Sequence, residues 1–338
     1  METERIKWID LAKGIAIILV VAGHAIQKNS EIIMFIYVFH IPFFFVMAGY
    51  LLNIEKWACN FSEFKSKIQQ RLLLPYFKAN FLFLPLWFIF FRYFEIFSPY
   101  GWEKCEPSKV LLAIFIGNNE TFDTKLLLYQ LWFLPCLFFA ELIFLKVQIF
   151  FGKNKFFLCS IIMALTASGY LIGNSLQLPL GLDTALFAQI FLFTGFLIKQ
   201  NNLTHKINLP VCIILFLTVF FMPVLNSFTT MDKRIYGNPI LFYVGGIAGT
   251  LFIMKIAMHL ENFGNGVCNY IKYCGQKSMA ILIFHVPIIA VVFNLAVAIE
   301  PELWSTEFEL FITMCGVIFP VLIAKNFGDK PILKYFCT

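Results

Sequence analysis

Ten apolar runs of 16 to 23 residues dominate this chain: 8–27, 32–52, 75–97, 129–151, 156–174, 184–199, 209–226, 239–258, 278–298 and 308–324. About 20 apolar residues are what a helix needs to cross the hydrocarbon of a bilayer. Inside lipid no water can satisfy a free N–H or C=O, so a run of that length that is not part of a barrel must be helical. The expected fold is therefore an all-α polytopic membrane protein of about ten transmembrane helices. Composition agrees. The 338 residues are 60% hydrophobic and 14% charged, with a mean hydropathy of +0.79 and 43 phenylalanines, whereas soluble domains carry about 25% charged residues.

The charges set an expected orientation. With ten spans and the N-terminus inside, 19 of the 26 lysines and arginines fall on cytoplasmic segments and 7 on outer ones. That bias predicts both termini in the cytoplasm. Spread over short loops, the net charge of +6 speaks for topology rather than for nucleic acid. Met1–Lys7 is too short and polar to open a cleaved signal peptide, so the first span is expected to remain. Two segments are not expected to cross. Residues 53–74 form a basic, partly amphipathic cytoplasmic stretch, and residues 98–128 form the longest outer loop, in which Val110 to Ile116 is interfacial or re-entrant. Residues 1–338 read as a single integral-membrane domain. The nine cysteines show no metal-ligand spacing and read as small buried hydrophobes. No metal is expected.

Ionisable residues within spans are costly and mark functional sites. The first span carries three. At about 100° per residue, Asp10, Lys13, Ile17, Val20 and His24 fall on one stripe, with His24 roughly 16 Å along the axis from Lys13. His24 is the leading candidate for a general base, because imidazole ionises near neutral pH. His40, in Phe39-His40-Ile41-Pro42, is expected at a similar depth, either sharing acid–base work or bonded to a carbonyl freed by Pro42. Asp10 and Lys13 are an interfacial ion pair or the meeting point for an anionic cosubstrate. Lys67 and Arg71 lie just inside the membrane, and the Arg71 fork suits phosphate. Glu141 sits mid-span and needs a partner. Asp183 either caps a helix or orients a histidine. His285 either lines the cavity below His24 or is structural. Gly245 and Gly249 read as close helix packing.

Taken in order, these motifs resemble the acyltransferase 3 family of integral-membrane acyltransferases, and its fucose 4-O-acetylase-like branch in particular. The residues are Trp8-x-Asp10-x-x-Lys13-Gly14…Gly23-His24; Phe39-His40-x-Pro42…Ala48-Gly49-Tyr50-Leu51; Arg71…Pro75-Tyr76; Trp132-Phe133-Leu134; Leu182-Asp183-Thr184-Ala185; and Gly275…Ser278…His285. They span almost the whole chain. One departure is Lys13, where many members carry arginine; lysine keeps the charge and loses the fork. The soluble domain that some members append is not expected.

The resemblance implies acyl-CoA, usually acetyl-CoA, as cosubstrate from the cytoplasmic side and a glycan or glycolipid hydroxyl as acceptor at the outer face. His24, His40 and Asp183 are then the expected catalytic residues, and Lys13, Arg71, Lys67, His285 and Asp10 the expected cosubstrate-binding ones. The expected location is the inner, cytoplasmic membrane of the cell, with the bilayer and the acceptor as partners. The rival reading is a secondary transporter or a flippase for a lipid-linked sugar, which would explain intramembrane charges as well.

Overall fold

A computed structural model describes residues 6–26, 30–93, 107–117, 128–299 and 305–328, together with 330, 333 and 336. Among these it is helical, with one isolated antiparallel bridge between Thr230 and Ile235. In chain order the helices are α1 (Lys7–Ala25), α2 (Ser30–Tyr37), α3 (His40–Leu51), α4 (Ile54–Ala58), α5 (Phe61–Ile68), α6 (Leu74–Tyr93), α7 (Pro107–Ile116), α8 (Phe133–Phe151), α9 (Lys155–Ser175), α10 (Leu182–Phe187), α11 (Gln189–Gln200), α12 (Leu203–Lys206), α13 (Leu209–Asn226), α14 (Pro239–Leu260), α15 (Gly266–Gln276), α16 (Ser278–Ile299) and α17 (Thr306–Phe327). A π-helical turn (Gln69–Leu73) precedes α6, and a 3₁₀ turn (Tyr129–Trp132) precedes α8.

Among the described residues, eight helices are long and apolar enough to cross a membrane, or up to nine if the bent pair Pro179–Phe187 and Gln189–Gln200 is one span. The expected run 75–97 is helical over Leu74–Tyr93, and its last four residues lie outside the described ones. The chain is thus a multi-pass membrane protein. Helices α9 and α13 turn large apolar side chains outward, among them Phe157, Met163, Ile214 and Phe220, as lipid-facing helices do. Residues 98–106 and 118–127 of the expected outer loop lie outside the described residues. Between them α7 is ten residues long, too short to cross, and buries Val110, Ala113 and Ile114.

Two expected spans are broken, each for an identifiable reason. The span Glu31–Leu51 stops at Val38–Phe39, where Phe39 takes φ −139° and ψ −13°. Pro42 cannot donate to the carbonyl four residues back, so the helix restarts at His40 rather than running through. The run 184–199 bends by 52° between α10 and α11. There the Tyr243 hydroxyl donates to the Phe187 carbonyl at 2.8 Å. The cysteine expectation needs correction. Cys136, Cys268, Cys274 and Cys315 are buried, but Cys59 and Cys159 are exposed, because Cys159 lies on the outward face of α9.

Helix α1 is the central element, packed against α14, α15, α16 and α17. Its crossing with α15 is backbone on backbone. A Cβ on Gly275 would lie 1.8 Å from the Asp10 carbonyl oxygen, and one on Gly14 would lie 1.9 Å from that of Ile271. Only glycine allows that approach. Gly275→Ala is therefore expected to force α1 and α15 apart, at a cost of about 1–3 kcal/mol or more. A fall of several degrees in the melting temperature of the detergent-solubilised protein would register it; an unchanged melt would contradict the crossing.

Candidate functional site

Functional side chains gather at the two ends of α1. At the first end Asp10 is buried and accepts from Gln276 Nε2 at 3.2 Å. Lys13, one turn further on and half-buried, acts electrostatically on Glu141. Glu141 is 4% exposed, and its partner is Arg71: one guanidinium nitrogen, Nη2, donates to both carboxylate oxygens at 2.5 and 2.7 Å. Arg71 sits in the π-turn before Pro75. That proline has no N–H for the Arg71 carbonyl, and the wider turn carries the chain into α6. The arginine side chain stays 53% exposed. Its Nε and Nη1 have no protein acceptor among the described residues, which leaves three N–H groups with donor capacity.

Lys67 lies elsewhere. It is exposed, with its ammonium 5.4 Å from the Trp57 ring, on which Lys56 also rests at 4.6 Å. The amphipathic reading of this stretch holds: Phe64 and Ile68 are buried, whereas Lys65 and Lys67 are not.

At the second end of α1, His24 is half-buried. Its Nδ1 is 2.9 Å from the Tyr129 hydroxyl, and its ring centroid lies 5.2 Å from that of His285. His285 is fully buried and bonds through Nδ1 to the Ile281 carbonyl at 2.8 Å, leaving Nε2 without a partner. This turn of α16 is fixed from outside. Pro287 has no N–H for the Ile283 carbonyl, and buried Gln130 fills that gap with Nε2 at 3.3 Å from Ile283 and 3.2 Å from Leu282. Gln130 thereby clamps the 3₁₀ turn that carries Tyr129 onto the helix that carries His285. Tyr129 and Gln130 were not marked by the sequence reading. Gln130 leaves one trace, as an amide within an apolar run.

His40 lies within electrostatic reach of His24. Its own Nδ1 bonds the Ile36 carbonyl at 2.9 Å across the break in its span, and its ring rests 4.6 Å from that of Tyr37. The bonded carbonyl is that of Ile36, which also takes the Phe39 N–H at 3.3 Å, and not the Val38 carbonyl that Pro42 leaves without its donor. The remaining histidines, His205 and His259, are both exposed.

Asp183 belongs to a different cluster. It is fully buried, and its oxygens take Arg234 Nε at 2.8 Å and Nη2 at 3.1 Å, with the Leu178 N–H at 3.2 Å. Arg234 also donates to the Asp232 carbonyl at 2.6 Å. Burial pushes the neighbouring Tyr236 phenol up, and its ring stacks on Phe187 at 3.9 Å. The ion pair fastens the segment 227–238 to the bundle, and none of its contacts is a histidine.

A match to an acyltransferase domain, that of the acyltransferase 3 family, runs over residues 6–325. The chain belongs to that family. As a member of it, this multi-pass protein is a membrane acyltransferase. No curated protein and no solved structure matches the chain. The described residues hold no cluster of three or more metal-ligating side chains.

The Asp183–Arg234 pair yields a test of role. Removing one partner of a buried pair costs about 3–5 kcal/mol, because the other charge is left uncompensated. Asp183→Ala should therefore melt well below wild type, and Asp183→Leu combined with Arg234→Met should recover most of the loss. Acyl transfer by the recovered double variant would show that the carboxylate is not needed for the chemistry.

Proposed function

We propose that this acyltransferase moves an acyl group, acetyl by preference, from cytoplasmic acyl-CoA to a hydroxyl of a glycan or glycolipid at the outer face of the inner membrane. It would do so as a single domain of ten spans with both termini inside, in the manner of the fucose 4-O-acetylase-like branch. The observation that carries this reading is the polarity of α1. Cations gather around one carboxylate at its Lys13 end, imidazoles gather at its His24 end, and the helix is unbroken between them. Eleven residues at 1.5 Å each separate the two by roughly 16 Å, comparable to the reach of the pantetheine arm.

In this mechanism Lys13 and the three remaining N–H groups of Arg71 hold the CoA phosphates. Glu141 keeps the guanidinium from collapsing onto the surrounding apolar surface, and Asp10 holds α15 at the same mouth through Gln276. The thioester is drawn along α1 to His24. That imidazole removes the proton of the acceptor hydroxyl as oxygen attacks the thioester carbonyl carbon. The C–S bond breaks, and the thiolate leaves and takes up the proton. Thiolate is a good leaving group, so the step calls for no metal.

Two experiments test this. Radiolabelled acetyl-CoA is supplied to inverted membrane vesicles, where label is expected on a glycan at the face away from the nucleotide. His24→Ala should abolish that transfer, and a variant that transfers at the wild-type rate would remove the base from the mechanism. Movement of the acceptor without label would favour the transporter reading instead. For the mouth, Arg71→Gln should raise the KM for acetyl-CoA by about tenfold, the equivalent of one lost charge-assisted hydrogen bond of about 1.4 kcal/mol. An unchanged KM would remove Arg71 from phosphate binding.

A further inference from the structure

At the far end of α1 the His24 ring adjoins two others, Tyr129 at 5.5 Å and His285 at 5.2 Å between centroids, and the three differ in exposure. Tyr129 is 37% exposed, His24 half-buried and His285 fully buried. The hydrogen position on His285 follows from its partner. The Ile281 carbonyl can only accept, so His285 Nδ1 carries the proton of the 2.8 Å bond and Nε2 carries the lone pair. That nitrogen has no donor among the described residues, and His24 is the polar ring beside it, at 5.2 Å. A phenol that donates to Nδ1 leaves the proton of neutral His24 on Nε2. Nδ1 is then the basic nitrogen, and it is occupied: the Tyr129 hydroxyl donates to it at 2.9 Å.

On the acyltransferase reading, on which this inference rests, a hydroxyl arriving from outside meets the phenol before it meets the imidazole. We propose that Tyr129 is a catalytic residue that links the acceptor hydroxyl to His24, and that His285 positions His24 for the exchange. The acceptor O–H gives its proton to the Tyr129 oxygen while the phenol proton passes to His24 Nδ1. The acceptor oxygen attacks the thioester carbonyl carbon, forming the ester C–O bond as the C–S bond breaks. The thiolate is then protonated by the Tyr129 O–H as His24 returns its proton to the phenol oxygen. The sum is alcohol plus thioester giving ester plus thiol, with both residues restored.

The arrangement has a mechanical basis. Gln130, next to Tyr129, is bonded to the carbonyls of Leu282 and Ile283 in the turn before His285. Phenol and inner imidazole are therefore both held against His24 by one clamp. A tyrosine serving only as an aromatic-belt residue would need no such fixing.

The test uses the full chain in membranes with radiolabelled acetyl-CoA. Tyr129→Phe keeps the ring and its edge contact with His24 and removes one oxygen. A loss of kcat of about 100-fold is expected, the scale of one proton-transfer group, with the KM for acetyl-CoA within about twofold. Replacing Tyr129 by 3-fluorotyrosine and 3,5-difluorotyrosine makes the phenol progressively more acidic at almost constant shape, and the rate should change in step. A phenol that only props the imidazole gives a rate flat across that series. A flat series, or a phenylalanine variant with more than half of the wild-type kcat, overturns the proposal. Where His24→Ala is inactive and the fluorotyrosine series is flat, only this inference fails. Where His24→Ala is fully active, the base reading on which it rests fails with it.

Discussion

A proline inside a membrane helix leaves a carbonyl without its donor, and the hydrocarbon supplies none. Much of the site is organised around that constraint. Pro287 frees the Ile283 carbonyl, and Gln130 crosses from the start of α8 to fill it. Pro42 breaks the second span, and His40 bonds the Ile36 carbonyl at the break. Pro75 follows the π-turn that turns Arg71 toward Glu141. At Pro287 the repair brings a polar side chain to a defined depth, whereas the His40 bond goes to Ile36 and not to the Val38 carbonyl that Pro42 leaves without its donor. Proline alone does not make a site, since Pro223 and Pro320 lie inside α13 and α17 away from these clusters.

The two ends of α1 solve different electrostatic problems. At the Lys13 end a buried carboxylate meets an arginine that is half in solvent, so the anion is satisfied while the cation keeps capacity for another partner. At the His24 end a phenol and two imidazoles adjoin, groups whose neutral forms need no counter-ion in an apolar setting. The Asp183–Arg234 pair is a third case, closed on both sides and fully engaged. Engagement separates the two arginines: Arg71 is 53% exposed with three N–H groups not taken by a protein acceptor among the described residues, whereas Arg234 is 9% exposed and committed to Asp183 and Asp232.

What the sequence disclosed follows from range. The apolar runs, the stripe on α1 and the small-residue contacts at Gly245 and Gly249 depend on neighbours within a few turns, and they could be read directly. The pairings could not. Arg71 finds Glu141 70 positions away, Asp183 finds Arg234 51 away, and Tyr129 meets His24 across 105. Charge alone did not sort Arg71, which turns into the bundle, from Lys67, which lies over Trp57. The broken spans were half legible, because Pro42 announces its break whereas the bend at Ala188 depends on a tyrosine from α14.

The backbone contact between α1 and α15 bears on how such a protein can work at all. A pump that exposes its site alternately to the two sides of a membrane needs helices that slide or rock past one another. Here α1 meets its neighbour at Gly14 and Gly275 with no side chain between them to act as a bearing. The helix that carries both Lys13 and His24 is therefore a fixed post. On the proposed function, what passes along it is a flexible arm small enough to move while the post stands still. That suits the delivery of a chemical group across the bilayer better than the carriage of a whole molecule.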